Sequence, residues 1–266
     1  MKQLNSIAAR PFHPPSGFLM KRSGKLPLAQ SSSAPSNQAD IDSFLSTLSK
    51  IPPRPKSKGR GRLLFAMDAT ASREPSWDQA CKIQGEMFTQ TDGLGGLEIQ
   101  LAHFRGFGEF EATPWLTSSQ ELVRRMTGVF CLGGETQIGK VLAHALDENR
   151  KNHINALVFV GDCCEEDVDA LCRLAGELGL GGVPAFLFHE GDDPVAGRAF
   201  KQLARLTGGA YCRFDQGSAK QLRDLLAAVA VFAAGGRKAL ADYCKRSGGA
   251  VGDISRQLRL QGPERQ

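Results

Sequence analysis

Asp68, Thr70 and Ser72 stand at alternate positions in Asp68-Ala69-Thr70-Ala71-Ser72, a D-x-T-x-S string that offers one carboxylate and two hydroxyls. Three oxygen donors so spaced can converge on a small hard cation. Two later residues can complete such a shell: Thr136 in Gly133-Gly134-Glu135-Thr136, and Asp162 directly after Ala156-Leu157-Val158-Phe159-Val160-Gly161. The candidate site is therefore Asp68, Thr70, Ser72, Thr136 and Asp162, rich in neutral hydroxyls and poor in charge.

The elements around these residues explain how they could meet. Leu63-Leu64-Phe65-Ala66-Met67 is apolar without polar alternation, as expected of a strand covered on both faces in a parallel sheet. The residues after such a strand lie at its carboxyl end, where open α/β sheets bind ligands. From residue 63 onward, strand and helix patterns alternate. Ser76-Trp77-Asp78-Gln79 has capping-box spacing and opens a helix to about Thr91. Leu97 to Arg105 and Gly108 to Trp115 read as a hairpin around Gly106, with Pro114 marking an edge strand. A short helix spans Ser119 to about Thr127. Ile138, Val141, Leu142, Ala145 and Leu146 form a helical stripe, and Val168, Leu171, Cys172, Ala175 and Leu178 another after the strand at 156–161. Val183 to Phe188 is a strand, Asp193-Pro194 opens a helix that Gly208-Gly209 closes, Ala210 to Phe214 is the last strand, and Ser218 to about Phe232 the last helix. The expected fold class is α/β: a doubly wound, mostly parallel six-stranded sheet with one antiparallel edge strand and helices on both faces.

With the five site residues in this order and at these strand ends, the chain resembles the von Willebrand factor A (VWA) domains and their metal-ion-dependent adhesion site, over roughly residues 61–234. The resemblance implies that Thr70, Ser72 and Thr136 contact a metal, with Asp68 and Asp162 acting directly or through water. The cation expected is Mg²⁺, with Mn²⁺ or Ca²⁺ as alternatives. Mg²⁺ prefers octahedral oxygen and sheds water reluctantly, and hydroxyl ligands leave it a residual field that attracts a carboxylate from outside. The expected partner is thus a protein presenting Asp or Glu, and the site is one of capture, with no catalytic residue. Relatives of the bacterial intracellular branch suggest an AAA+ ATPase or a stress-response system as that partner. The sequence departs from the commonest family pattern at Thr70, where Ser is usual, and at Cys163-Cys164, where glycine is common after the aspartate.

Charge is uneven. Residues 1–62 hold eleven Lys/Arg against Asp40 and Asp42, net +9, and the rest holds 22 basic and 26 acidic residues, net −4. A basic arm over 1–60, rich in Ser and Pro and expected to be largely disordered, thus precedes an acidic body at 61–234 and a partly helical or flexible tail at 235–266. Ile41, Phe44, Leu45 and Leu48 recur at helical spacing and predict a short amphipathic helix, docked on the body or offered to a partner. The arm supports an alternative function, nucleic-acid association, although its only aromatics are Phe12, Phe18 and Phe44. Seven cysteines, with no C-x-x-C pair, argue against a disulfide framework or structural zinc and for a cytoplasmic setting. No stretch reaches the ~20 apolar residues of a membrane span, and Phe12-His13-Pro14-Pro15 interrupts any signal-peptide core.

Gly134 to Lys140 fits G-x-x-x-x-G-K, but Val141 stands where a phosphate loop needs Ser or Thr. A nucleotide hydrolase is accordingly the weakest reading. Glu135, Glu165, Glu166 and Asp167 are expected near the site, either as favourable charge at helix N-termini or as an occupant of the open position. Cys163 and Cys164 are read as small buried hydrophobes rather than redox sensors.

Overall fold

The computed structural model describes residues 38–52, 60–74, 77, 96–215 and 218–246. Most of the basic arm, most of the helix expected over Ser76 to Thr91 and the tail beyond residue 246 lie outside the described residues. In chain order the elements are α1 (Gln38–Lys50), β1 (Gly61–Asp68), a 3₁₀ turn (Ala71–Arg73), β2 (Leu97–Arg105), β3 (Glu109–Ala112), α2 (Ser119–Thr127), α3 (Ile138–Lys151), β4 (Ala156–Gly161), α4 (Val168–Leu180), β5 (Ala185–Glu190), α5 (Pro194–Thr207), β6 (Ala210–Phe214) and α6 (Ala219–Arg246).

The six strands run in the order β3-β2-β1-β4-β5-β6. All pairs are parallel except β2–β3, the expected antiparallel edge. The chain builds outward from β1 to β2 and β3, then resumes on the other side of β1 with β4. The switch point therefore lies between β1 and β4, where a doubly wound sheet leaves a crevice at its carboxyl ends. Asp68 and Asp162 flank it.

Every residue of β1 is buried, because its two faces feed two cores. Leu63, Phe65 and Met67 pack with α1, α2 and α6, whereas Leu64 and Ala66 pack with α3, α4 and α5. The amphipathic segment predicted around 41–48 is docked: Phe44 is 1% exposed, with ring centroids 5.7 Å from Phe186 and 5.4 Å from Phe188. A helix of this length is marginal alone, and that burial holds it.

Local signals account for most element ends. Ser118 caps α2 by accepting from Glu121 N, Asp193 caps α5 by accepting from Ala196 N, and Gly208 ends α5 in the left-handed region at φ 70°. Three boundaries differ from expectation. β3 covers only Glu109–Ala112, stopping short of Trp115 because its ladder with β2 ends at Ala102↔Ala112. β5 starts at Ala185 and runs to Glu190 because its register with β6 extends to Glu190↔Phe214. The last helix continues to Arg246, bending at Gly236 (φ 67°). Leu240 and Cys244 beyond the bend are buried in the α1–α6 core, which sustains the extra turns. No helix among the described residues is long and apolar enough to cross a membrane.

Candidate metal centre

β1 delivers Asp68 fully buried at its last position. Asp68 Oδ1 accepts from Thr70 N at 2.7 Å, which folds the following residues back over the strand end. That turn brings Thr70 Oγ1 within 3.1 Å of Ser72 Oγ. The loop is fixed from both sides: Ala69 N donates to Phe104 O of β2 at 2.9 Å, and Leu132 N donates to Ala69 O at 3.1 Å. Asp68, Thr70 and Ser72 are thus one assembled unit, as their spacing predicts.

Asp162 succeeds β4 beside it. Gly161 lies so close that a Cβ there would stand 3.6 Å from Asp68 Cβ. Burial raises the Asp68 carboxyl from 3.8 to about 6, with the Thr70 hydroxyl and amide pulling it down, the Asp162 charge pushing it up and Arg73 drawing it down.

Thr136 is buried and bound to the loop that carries Asp162. Its Oγ1 accepts from Glu165 N at 3.1 Å, and its amide donates to Glu165 Oε2 at 3.2 Å. The preceding glycine is obligatory, since a Cβ at Gly134 would stand 2.0 Å from Gly106 O. The structure therefore joins Thr136 to the Asp162 side of the crevice and Thr70 and Ser72 to the Asp68 side.

The four acidic residues expected near the mouth divide by role. Asp167 caps its own helix, α4, accepting from Asp169 N and Ala170 N. Glu166 instead caps α3, accepting from Ile138 N and from Gly139 N at 2.9 Å. Burial pushes its carboxyl up, opposed by those amides and the Thr136 hydroxyl. Glu165 holds Thr136, and Glu135 is exposed with its amide on Gly106 O at 3.2 Å. Glu166 thus fills the helix N-terminus that a phosphate loop would keep open. Lys140 points away from it, donating to Gly108 O at 2.7 Å.

Two neighbours carry no sequence signal of their own. Arg73, 2% exposed, forms an ion pair with Glu190 at the end of β5. His189, the residue before Glu190 in β5, is buried with Nδ1 2.9 Å from Tyr211 Oη, and burial holds its pKa below the usual histidine range. Cys164 is buried, as expected, but Cys163 is only half-buried; burial pushes the Cys131 and Cys164 thiols up to about 11, and Cys163 up as well, away from the thiolate form. No two of the six described cysteines form a disulfide with each other.

The fit to a cation rests on two atoms. Among the described residues, Asp68 Oδ2 and Asp162 Oδ1 are buried without a hydrogen-bond partner, and buried polar atoms ordinarily have one. Among the described residues, no three His, Cys, Asp or Glu converge. A cation here would draw on two carboxylates supplemented by hydroxyls, a hard all-oxygen set suited to Mg²⁺ or Mn²⁺ rather than to thiophilic metals.

No protein-family model matches this sequence, and no curated protein matches it. Solved structures do match in fold. The SpRpn10 VWA domain is 14% identical, covering 63% of this chain and 94% of that one with a TM-score of 0.52. The pilus adhesin SpaC of Lactobacillus rhamnosus GG, in an open conformation, is 10% identical, covering 71% of this chain and 31% of that one with a TM-score of 0.52. The human COPII-coat protein Sec24c is 10% identical, covering 70% and 34% with a TM-score of 0.51. The chain thus spans about a third of the length of the last two.

Proposed function

We propose that this chain, which has the fold of a VWA domain, is a metal-dependent protein-interaction module whose site captures a partner's carboxylate. The observation that carries the proposal is the pair of unpartnered buried oxygens, Asp68 Oδ2 and Asp162 Oδ1, at the switch point of the sheet. Thr70 and Ser72 supply hydroxyls beside the first, and Thr136 is tied to the loop of the second. Mg²⁺ or Mn²⁺ held by this set would offer an open position to an Asp or Glu of another protein. The chain's own part is to hold the donors rigid, which the Thr70 amide on Asp68 and the Glu165–Thr136 pair accomplish.

The rim supports a protein partner. Phe107 is 82% exposed in the β2–β3 turn, and Phe130 is 72% exposed in the loop that reaches Thr70 through Leu132. Each ring offers apolar surface that a partner could cover. A partner presenting an acidic residue next to an apolar one fits both features. An adhesin and a coat protein share the fold, which accords with an interaction role. An AAA+ ATPase is the partner class we favour, and a reducing cytoplasm the compartment, in keeping with the lack of disulfides among the described cysteines. We also propose that the chain is not an enzyme, since Glu166 occupies the one segment with phosphate-loop spacing. Nucleic-acid binding rests on the basic arm and gains no support from the described residues.

The test is a thermal melt of the full chain with and without excess Mn²⁺ or Mg²⁺, together with a pull-down under the same conditions. A folded-state ligand must raise the melting temperature, and Asp68→Ala should abolish both the shift and metal-dependent capture. A melting curve indifferent to either ion sinks the proposal.

A further inference from the structure

Arg73 comes directly after the D-x-T-x-S string, and its side chain is almost wholly buried, 2% exposed. A guanidinium cannot shed its proton in a protein, so such burial demands carboxylates around it. Three supply them. Glu190, with a side chain 14% exposed, is its ion-pair partner at the end of β5, and the charges of Asp162 and Asp68 act on it from the site itself. A fixed positive charge one residue past the D-x-T-x-S string thus feels the same two aspartates that a cation would use.

We propose that Arg73 is a resident counter-cation of this site, competing electrostatically with a divalent ion for Asp68 and Asp162, while Glu190 governs how much of its charge they feel. The inference rests on the metal reading above. Without metal, the guanidinium offsets part of the repulsion between two buried carboxylates and lets the strand ends stay together. When a cation arrives, the aspartates are already partly neutralised, and the incoming charge is repelled by Arg73. The ion pair with Glu190 turns the guanidinium toward β5 and relieves this competition. Metal affinity is then set by two residues that are not ligands, and they act with opposite signs.

Calorimetric titration of the chelator-treated full chain with MnCl₂ tests this in wild type, Arg73→Met, Glu190→Gln, the double variant and Asp68→Ala. Folding of each variant is checked by circular dichroism. Arg73→Met should tighten Mn²⁺ binding by about tenfold or more and Glu190→Gln should weaken it several-fold, as expected when one unit charge acting on the two aspartates is removed in a buried setting. Should Arg73→Met fail to fold because Glu190 is left uncompensated, the double variant must still bind tighter than Glu190→Gln alone. Binding by Arg73→Met where wild type binds too weakly to measure also supports the inference. Affinity that is unchanged or weaker in Arg73→Met, with wild type binding and Asp68→Ala not, overturns it and leaves the metal reading standing. Absence of binding in wild type, Arg73→Met and the double variant alike overturns both.

Discussion

Asp68→Asn should stabilise the metal-free protein at pH 8 while abolishing its response to divalent cations. Asp68 is fully buried, its Oδ1 accepts from Thr70 N at 2.7 Å, and its Oδ2 has no partner. Burial shifts its carboxyl from 3.8 to about 6, and two units correspond to about 3 kcal/mol. Because the folded state holds the proton more tightly than the unfolded state, folding is favoured when Asp68 is protonated. The penalty is small below pH 3.8, grows to about half by pH 5, and is complete once pH has risen past 6. Asparagine keeps the acceptor for the Thr70 amide and carries no charge. It should therefore recover most of that ~3 kcal/mol at pH 8, a rise in melting temperature of roughly 6–12 °C for a body of this size. At pH 5 the gain should fall by about half. Melts in a chelating buffer at the two pH values measure this directly. Mn²⁺ at a hundred times its dissociation constant should then raise wild type by about 2.7 kcal/mol and leave the variant unmoved. An Asp68→Asn variant less stable than wild type at pH 8 without metal would refute the reasoning, because it would mean that the carboxylate is already satisfied inside the fold.

Phe44→Ala should cost about 3–5 kcal/mol by urea denaturation, the usual effect of emptying a fully buried aromatic site. A loss below about 1 kcal/mol would show that α1 is not integral to the core. Glu166→Gln keeps one acceptor at the N-terminus of α3, replaces the other with an NH₂ that cannot accept from the second amide, and removes the charge; it should cost about 1–2 kcal/mol in the same assay. Unchanged stability would mean that Glu166 does not act as the α3 cap.

The parts of the fold that could be read from the chain are those set by neighbouring residues. Ser118, the Asp193-Pro194 pair and Gly208 mark helix ends through their own backbone chemistry, and the structure places those ends there. The unbroken apolar run of β1 declares two covered faces for the same reason. Asp68, Thr70 and Ser72 are close in sequence, so their spacing alone assembles them. Arg73 with Glu190 is a different case. The two meet only because β5 lies beyond β4 in the sheet order, and nothing local at either position announces it. Glu166 is similar: its neighbours suggest a cap for α4, yet it crosses to α3 while Asp167 takes the nearer task. The length of α6 is not legible locally because Gly235-Gly236 reads as a stop, whereas burial of Leu240 and Cys244 outweighs one bend at glycine.

The balance of donors and acceptors decides what kind of ligand this crevice suits. A site for phosphate keeps backbone N–H groups of a helix N-terminus free and aims them outward. Here those groups are consumed internally: Glu166 takes the amides of Ile138 and Gly139, Glu165 takes that of Thr136, and Asp68 takes that of Thr70. The carboxylate oxygens left over are acceptors, Asp68 Oδ2 and Asp162 Oδ1, with the hydroxyls of Thr70 and Ser72 beside the first. Surplus acceptors in a buried setting call for a cation, and a resident arginine supplies one charge from within the fold. The chain thus commits its amide donors to its own carboxylates, and that commitment turns a loop with phosphate-binding spacing into the wall of the proposed cation site.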